Sequence, residues 1–259
     1  ISSLYFFGRT VARKNSGGEP GAAPSAAAAI SFDTILLHSK EKMTPEQKAG
    51  LDKLEKALQS EADTVKKLAV LHRLAHFWSD TARVFLPYAW YEAEAARLDN
   101  SEKNLTFAAH LFLDDVKGGS SSALKKWGAL QAKDLFERSL KINPANDSAK
   151  IGLGACYVFG QIDPQPMTGI NMIRDVLAKD STNIYALMTL ANGSLLSSQY
   201  EKAIQRFESI LKIDPNNIEA CLLLAETCER TGNKGDAVKM YKRGMVLIKR
   251  EDIKAEIQK

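Results

Sequence analysis

The chain has 259 residues, 45% of them hydrophobic and 25% charged, and its 35 lysines and arginines against 31 aspartates and glutamates leave a net charge of +4. That composition is ordinary for a soluble globular protein, and so mild a positive balance, with no basic stripe interleaved with aromatics, excludes nucleic acid as the partner. Cys156, Cys221 and Cys228 read as small buried thiols rather than as a disulfide framework. Cys221 and Cys228 lie seven apart on one predicted helix, too far for a relaxed bridge, and this favours a reducing compartment.

The first residue is not methionine, so the chain reads as a fragment or a processed product. Ile1–Phe7 is apolar and aromatic, and Arg9, Arg13 and Lys14 follow at once. A bilayer takes about 20 residues to span, so this stretch matches only the exit end of an upstream transmembrane helix, with aromatics at the interface and cations at the head groups. Residues 1–14 are accordingly expected to be a membrane-proximal stub and the protein membrane-associated through an upstream N-terminal anchor. The cations favour the cytoplasmic face, and the periplasmic side is the alternative. Residues 15–30 carry Gly, Pro and Ser with no apolar period and read as a flexible linker. Residues 31–66 read as an N-terminal helical cap built on one helix: Thr44-Pro45-Glu46-Gln47 is a capping box with proline at the first helical position, and Leu51, Leu54 and Leu58 mark one face.

From 67 to 259 one pattern recurs. Leu71, Leu74, Ala75 and Trp78 reappear 34 residues later as Leu105, Ala108, Ala109 and Phe112. The second helix of the first copy, through Ala89, Ala93 and Ala96, fits only with a two-residue slip. The second copy is lengthened around Lys117-Gly-Gly-Ser-Ser-Ser122 and continues through Ala132, Phe136 and Leu140 to the turn Asn143-Pro144-Ala145-Asn146. A third copy holds Leu153, Gly154 and Tyr157, then the connection Ile162–Met167, then Gly169, Ile173 and Leu177. The last two copies superpose residue by residue at an offset of 34: Leu190 on Leu224, Ala191 on Ala225, Ala203 on Ala237, Phe207 on Tyr241, with Asp214-Pro215-Asn216-Asn217 between them. The repeats run over about 68–101, 102–146, 147–183, 184–217 and 218–250, and the polar tail after them opens a solvating end helix.

A 34-residue period of helix pairs, with leucine at position 7, small residues at 8 and 20 and an aromatic at 24, resembles the tetratricopeptide repeat. The resemblance implies an all-α fold, a right-handed α–α superhelix of about five helical hairpins with an extra N-terminal helix. Small residues let the two helices of a hairpin approach closely, and the larger ones fill the space between hairpins. It also implies a non-enzymatic module that needs no cofactor and binds a protein or peptide segment along its concave face, through positions 2, 5, 9 and 12 of each first helix. Those positions are Ala69, His72, His76 and Ser79, then Lys103, Thr106, His110 and Leu113. Ser148, Ile151, Ala155 and Val158 come next, followed by Tyr185, Met188, Asn192 and Leu195, and by Glu219, Leu222, Glu226 and Glu229. The lining thus passes from imidazoles through an apolar middle to an acidic end, which suits a segment with an apolar core and a basic terminus. Family members that grip C-terminal carboxylates resemble each other in Lys at position 5 and Asn at position 9. Asn192 is the match here, and the acidic end repels a carboxylate.

Other readings of the same residues are weaker. His72 and His76 stand four apart, with His110 one repeat later, a spacing that can hold zinc; but Arg73 occupies the place where the metalloprotease motif needs glutamate. Gly152-Leu-Gly154 has neither the preceding strand nor the third glycine of a phosphate loop, and helix packing explains it. Trp78, Tyr88, Trp90 and Tyr91 are expected to pack between helices rather than to form a sugar or base platform. An oligomeric scaffold, in which an uncapped last repeat stacks on another subunit, is the alternative to groove binding.

Overall fold

The computed structural model describes residues 30–118, 121–163 and 166–248. The stub at 1–14, nearly all of the 15–30 linker and the tail after 248 lie outside them. The described residues form α-helices and no strand: α1 Phe32–Glu41, α2 Pro45–Ser60, α3 Thr64–His76, α4 Phe85–Asp99, α5 Glu102–Lys117, α6 Ser122–Ile142, α7 Asp147–Phe159, α8 Met167–Lys179, α9 Ile184–Leu196, α10 Tyr200–Ile213, α11 Ile218–Arg230 and α12 Lys234–Leu247. Helices α3 to α12 pair as five successive hairpins, each packed on the next. This is the α–α solenoid that the repeat implies.

The boundaries between hairpins share one piece of chemistry. Asn146, Asn183 and Asn217 each precede a first helix and accept the backbone N–H of Ala149, Ala186 and Ala220 at 2.9, 3.0 and 2.9 Å. Three residues before each of them, Asn143, Asp180 and Asp214 accept a backbone N–H two residues on, at 3.1, 3.0 and 3.0 Å. Each turn therefore satisfies its own donors and fixes where the next helix starts. Within the hairpins the small residues lie at the closest approach: Ala191, Ala203 and Ala225 are fully buried and Ala237 nearly so. In the third hairpin glycines replace that alanine pair. A Cβ on Gly169 would stand 2.2 Å from the Gly154 carbonyl oxygen, so α7 and α8 pack backbone to backbone.

The N-terminal third departs from this regularity in three ways. Where one cap helix was expected there are two. The Thr44 capping box starts α2 as anticipated, but Ser31 caps an additional α1 whose Phe32 stacks on Trp90 at 4.3 Å. The first hairpin's slip has a structural origin: α3 runs on into a π-helical turn over Phe77–Ala82, closed by Arg83 in the left-handed region at φ 55°. That wider turn takes up the extra residues and lays Trp78 fully inside the core. In the second hairpin the added residues become helix, since α5 and α6 are 16 and 21 residues long against 13 and 14 in α9 and α10. Trp78 and Tyr91 are buried, and Trp90 is sandwiched between Phe32 and Trp127, at 4.3 and 5.9 Å. Trp78, Trp90 and Tyr91 thus pack between helices, as expected.

Candidate functional site

The first helices α5, α7 and α9 stand side by side, each packed on the next, and form one wall that α11 follows in the row, with the second helices behind. The row curves toward this wall, because side chains two hairpins apart meet across it. His110 of α5 lies edge-on to Tyr185 of α9, ring centres 5.7 Å apart, passing over α7. Small residues in α7 make the passage possible: Ala155 is fully buried, and Gly152 leaves room for the Phe136 ring, which a Cβ there would meet at 2.2 Å.

At the centre of the wall the polar groups of three hairpins interlock. The His110 Nε2 atom is 3.1 Å from the Ser148 hydroxyl, and its ring packs edge-on against Phe136 at 5.1 Å. Burial, reinforced by Lys117 and opposed by Asp114, holds this imidazole below its ordinary value, so the neutral ring is favoured. The Lys117 ammonium sits 5.7 Å from the Tyr185 ring centre and 5.9 Å from that of Phe159. Burial lowers its affinity for the proton, against the pull of Asp114 and Glu219. The Tyr185 hydroxyl is buried without a hydrogen-bond partner among the described residues, and burial raises its pKa.

The expected groove residues fall into three groups. His76, Lys103, Glu226 and Glu229 are exposed. His72, Thr106, His110, Tyr185, Asn192, Leu195 and Leu222 are half-buried. Ile151 and Met188, expected to line the apolar middle, are 1% and 9% exposed, and Leu113 and Ala155 are fully buried. Ile151 packs with Ile173, Val176 and Leu190 under Tyr185, and Met188 packs with Leu187 and Phe207. Position 5 of the middle repeats therefore turns into the core, and its side chains support the wall from beneath. At the acidic end the Glu229 carboxylate accepts from the Tyr241 hydroxyl at 3.0 Å, and Glu226 pairs with Arg230 at 2.6 Å. Glu219 is exposed beside them.

The three histidines do not converge. His72 lies 3.6 Å from Glu92, His76 lies 3.5 Å from Asp80, and His110 has the partners given above. Among the described residues no three His, Cys, Asp or Glu side chains are grouped to hold a metal. Among the described residues, too, no helix is long and apolar enough to cross a membrane. All three cysteines are buried thiols; Cys156 is pushed up to about 12 by burial, which keeps it protonated and unreactive.

Two features escaped the reading from sequence. Lys117 is one, because it lies outside the positions at which the repeat places groove residues. The other is a hollow of about 750 Å³ between α1, α2, α3 and α4, walled by Phe32, Trp90 and Tyr91 and by the Lys40–Glu55 ion pair at 2.8 Å. It requires α1, whose ten residues give only a short apolar pattern.

Residues 194–245 match the model of the tetratricopeptide repeat. A Haemophilus influenzae protein named for cytochrome c-type biogenesis, CcmH, is 25% identical over 149 residues, covering 51% of this chain and 32% of the relative. The lipopolysaccharide assembly protein B of the same organism is 25% identical over 120 residues, 45% of this chain and 29% of the relative. The chain thus spans about a third of the length of these relatives. Among solved structures, YrrB, described as a repeat protein of this kind with an unusual peptide-binding site, aligns with 79% of this chain and 97% of its own at 15% identity and a TM-score of 0.44. MamA from Desulfovibrio magneticus aligns with 70% and 94% at 18% identity and a TM-score of 0.46.

Proposed function

From the helical hairpins and the match of residues 194–245 to the tetratricopeptide repeat, we propose that a concave wall formed by α3, α5, α7, α9 and α11 docks a segment of another protein. The repeat's general role as an interaction module agrees with this reading. The observation that carries it is the surface of α9 and α11. Half-buried Asn192, Leu195 and Leu222 run into exposed Glu219, Glu226 and Glu229, while the second helices bury their apolar faces behind. A wall that pairs partly exposed apolar side chains with carboxylates suits a segment with an apolar stretch and a basic end. His72, His76, Lys103, Thr106 and His110 extend the wall toward the N terminus. The apolar Ile1–Phe7 stretch with Arg9, Arg13 and Lys14 behind it supports a module held at a membrane surface by an upstream anchor. Two relatives named for biogenesis and assembly tasks agree with a module that gathers other chains.

A photo-crosslinking residue placed at Asn192 or Glu226, in the cell that makes the protein, is expected to trap a partner. The same residue at Gln205, on α10, is expected to trap none. Capture from Gln205 and none from the wall would overturn the reading. A Glu226→Lys/Glu229→Lys double variant, changed only at exposed positions, should keep its helical spectrum and lose the adduct.

A second reading rests on α12, whose Val238 and Val246 are 50% and 82% exposed. Such a face suits stacking on another subunit, as in an oligomeric scaffold. A mass that stays monomeric across a wide concentration range would dispose of it.

A further inference from the structure

The geometry points to a cation seat at the centre of the wall: Tyr185 and Phe159, with the Asp114 and Glu219 carboxylates, receive a lysine or arginine side chain of the docked segment, and Lys117 of the chain itself fills that seat in the free protein. The inference rests on the groove reading above and specifies the chemistry of its centre. A cation near two aromatic rings, within about 6 Å of each centroid, is attracted by their electron-rich faces, and Lys117 meets that condition at 5.7 and 5.9 Å. The seat is also negative: Asp114 approaches the ammonium at 3.9 Å, and Glu219, three repeats along the chain, acts on it electrostatically.

Three observations make the seat more than a packing detail. Its walls come from separate hairpins, Phe159 from α7, Tyr185 from α9 and Glu219 from α11, while the cation comes from the last residue of α5. The Tyr185 hydroxyl within it is buried and has no hydrogen-bond partner among the described residues. And the wall continues from the seat into Glu219, Glu226 and Glu229, so a segment whose cation entered here would lay further basic residues against carboxylates. Lys117 is a weak occupant. Its side chain keeps 31% of its surface exposed and its contact with Asp114 is long, so another cation can replace it without breaking the helix.

The test uses the full chain with its tyrosines and phenylalanines isotopically labelled, and N-acetyl-lysine methylamide as the probe. In a Lys117→Met variant the vacated seat is expected to bind this amide about tenfold more tightly than the wild type does, with shifts at the Tyr185 and Phe159 rings. The uncharged N-acetyl-norleucine methylamide is expected to leave them unmoved. Glu219→Gln, an exposed change that keeps the fold, should weaken the gain several-fold. An equal response to the norleucine amide, or no gain in the Lys117→Met variant, would overturn the seat. Selection of random phage-displayed peptides on the same variant separates this idea from the groove reading. Peptides lost on Glu226→Lys and sharing one lysine or arginine support both. Peptides lost on Glu226→Lys without a shared cation refute the seat and keep the groove. Binding of the lysine amide with no peptide selected supports the seat and counts against the groove.

Discussion

The fourth and fifth hairpins and the first two solve one packing problem differently. In α9 to α12 every hairpin has the same length, the boundary between the two is an asparagine-capped turn, and the interfaces are alanine against alanine beneath one buried aromatic. In α3 to α6 the helix lengths vary, a π-helical turn intervenes, and large aromatics fill the gaps: Trp78 inside the first hairpin, Trp90 and Trp127 between the first and second. Regular spacing lets small side chains set the distance between helices, whereas irregular spacing has to be filled by large ones. The third hairpin lies between these regimes. Its two helices are joined by a connection three residues longer than in the regular repeats, since Gly154 and Gly169 stand 15 apart against 12 for Ala191 and Ala203, and this glycine pair replaces the alanines.

That contrast can be broken at defined places. The largest effect is expected at position 24 of the regular half. Phe207 is fully buried between two hairpins, while its equivalent Tyr241 in the last hairpin is half-exposed. Phe207→Ala should cost about 3–5 kcal/mol in denaturant unfolding, and Tyr241→Ala clearly less. Equal costs would mean that the last hairpin is as well covered as its neighbour. Next comes Gly169→Ala, which installs the residue the other two repeats carry. A helix interior ordinarily gains about 1 kcal/mol from such a change, but here the new methyl meets a backbone carbonyl, and a net loss of about 1–3 kcal/mol is expected. A gain in stability would show that α7 and α8 are no closer than the other pairs.

A pH effect should follow from His110. Because burial favours its neutral ring, the folded chain binds fewer protons than the unfolded one near the ordinary imidazole value. Its contribution is therefore fully present above that value and is lost as pH falls from about 6.5 toward the depressed folded value. His110→Gln should flatten that part of the stability–pH curve; an unchanged slope would place the effect elsewhere. The smallest change expected is Ser198→Gly. Ser198 at φ 56° and Gly232 at φ 79° occupy the same turn of successive repeats, so glycine at 198 should raise stability by about 0.5–1 kcal/mol in thermal or denaturant unfolding.

Much of this architecture was legible because the repeat writes each hairpin's packing into small residues at fixed spacing. Gly154 reads as a packing residue from its register alone, and the structure places it against α8. The turn Asn143–Asn146 announced its cap by matching Asp214–Asn217. The misses share a physical cause: each depends on contacts between elements far apart in sequence. Helix α1 is held by Phe32 reaching Trp90. The burial of Ile151 and Met188 depends on how tightly neighbouring hairpins close, which a repeat pattern leaves open. Lys117 reaches its aromatic neighbours only because the row of first helices curves.

The central claim is that the first helices hold a partner and the second helices support them. Amide hydrogen exchange of the full chain, alone and with the partner trapped from Asn192, tests it most directly. Protection gained along α5, α7, α9 and α11, with α6, α8, α10 and α12 unchanged, is the outcome this account predicts. Protection gained on the second helices, with the first helices exchanging as before, would contradict it.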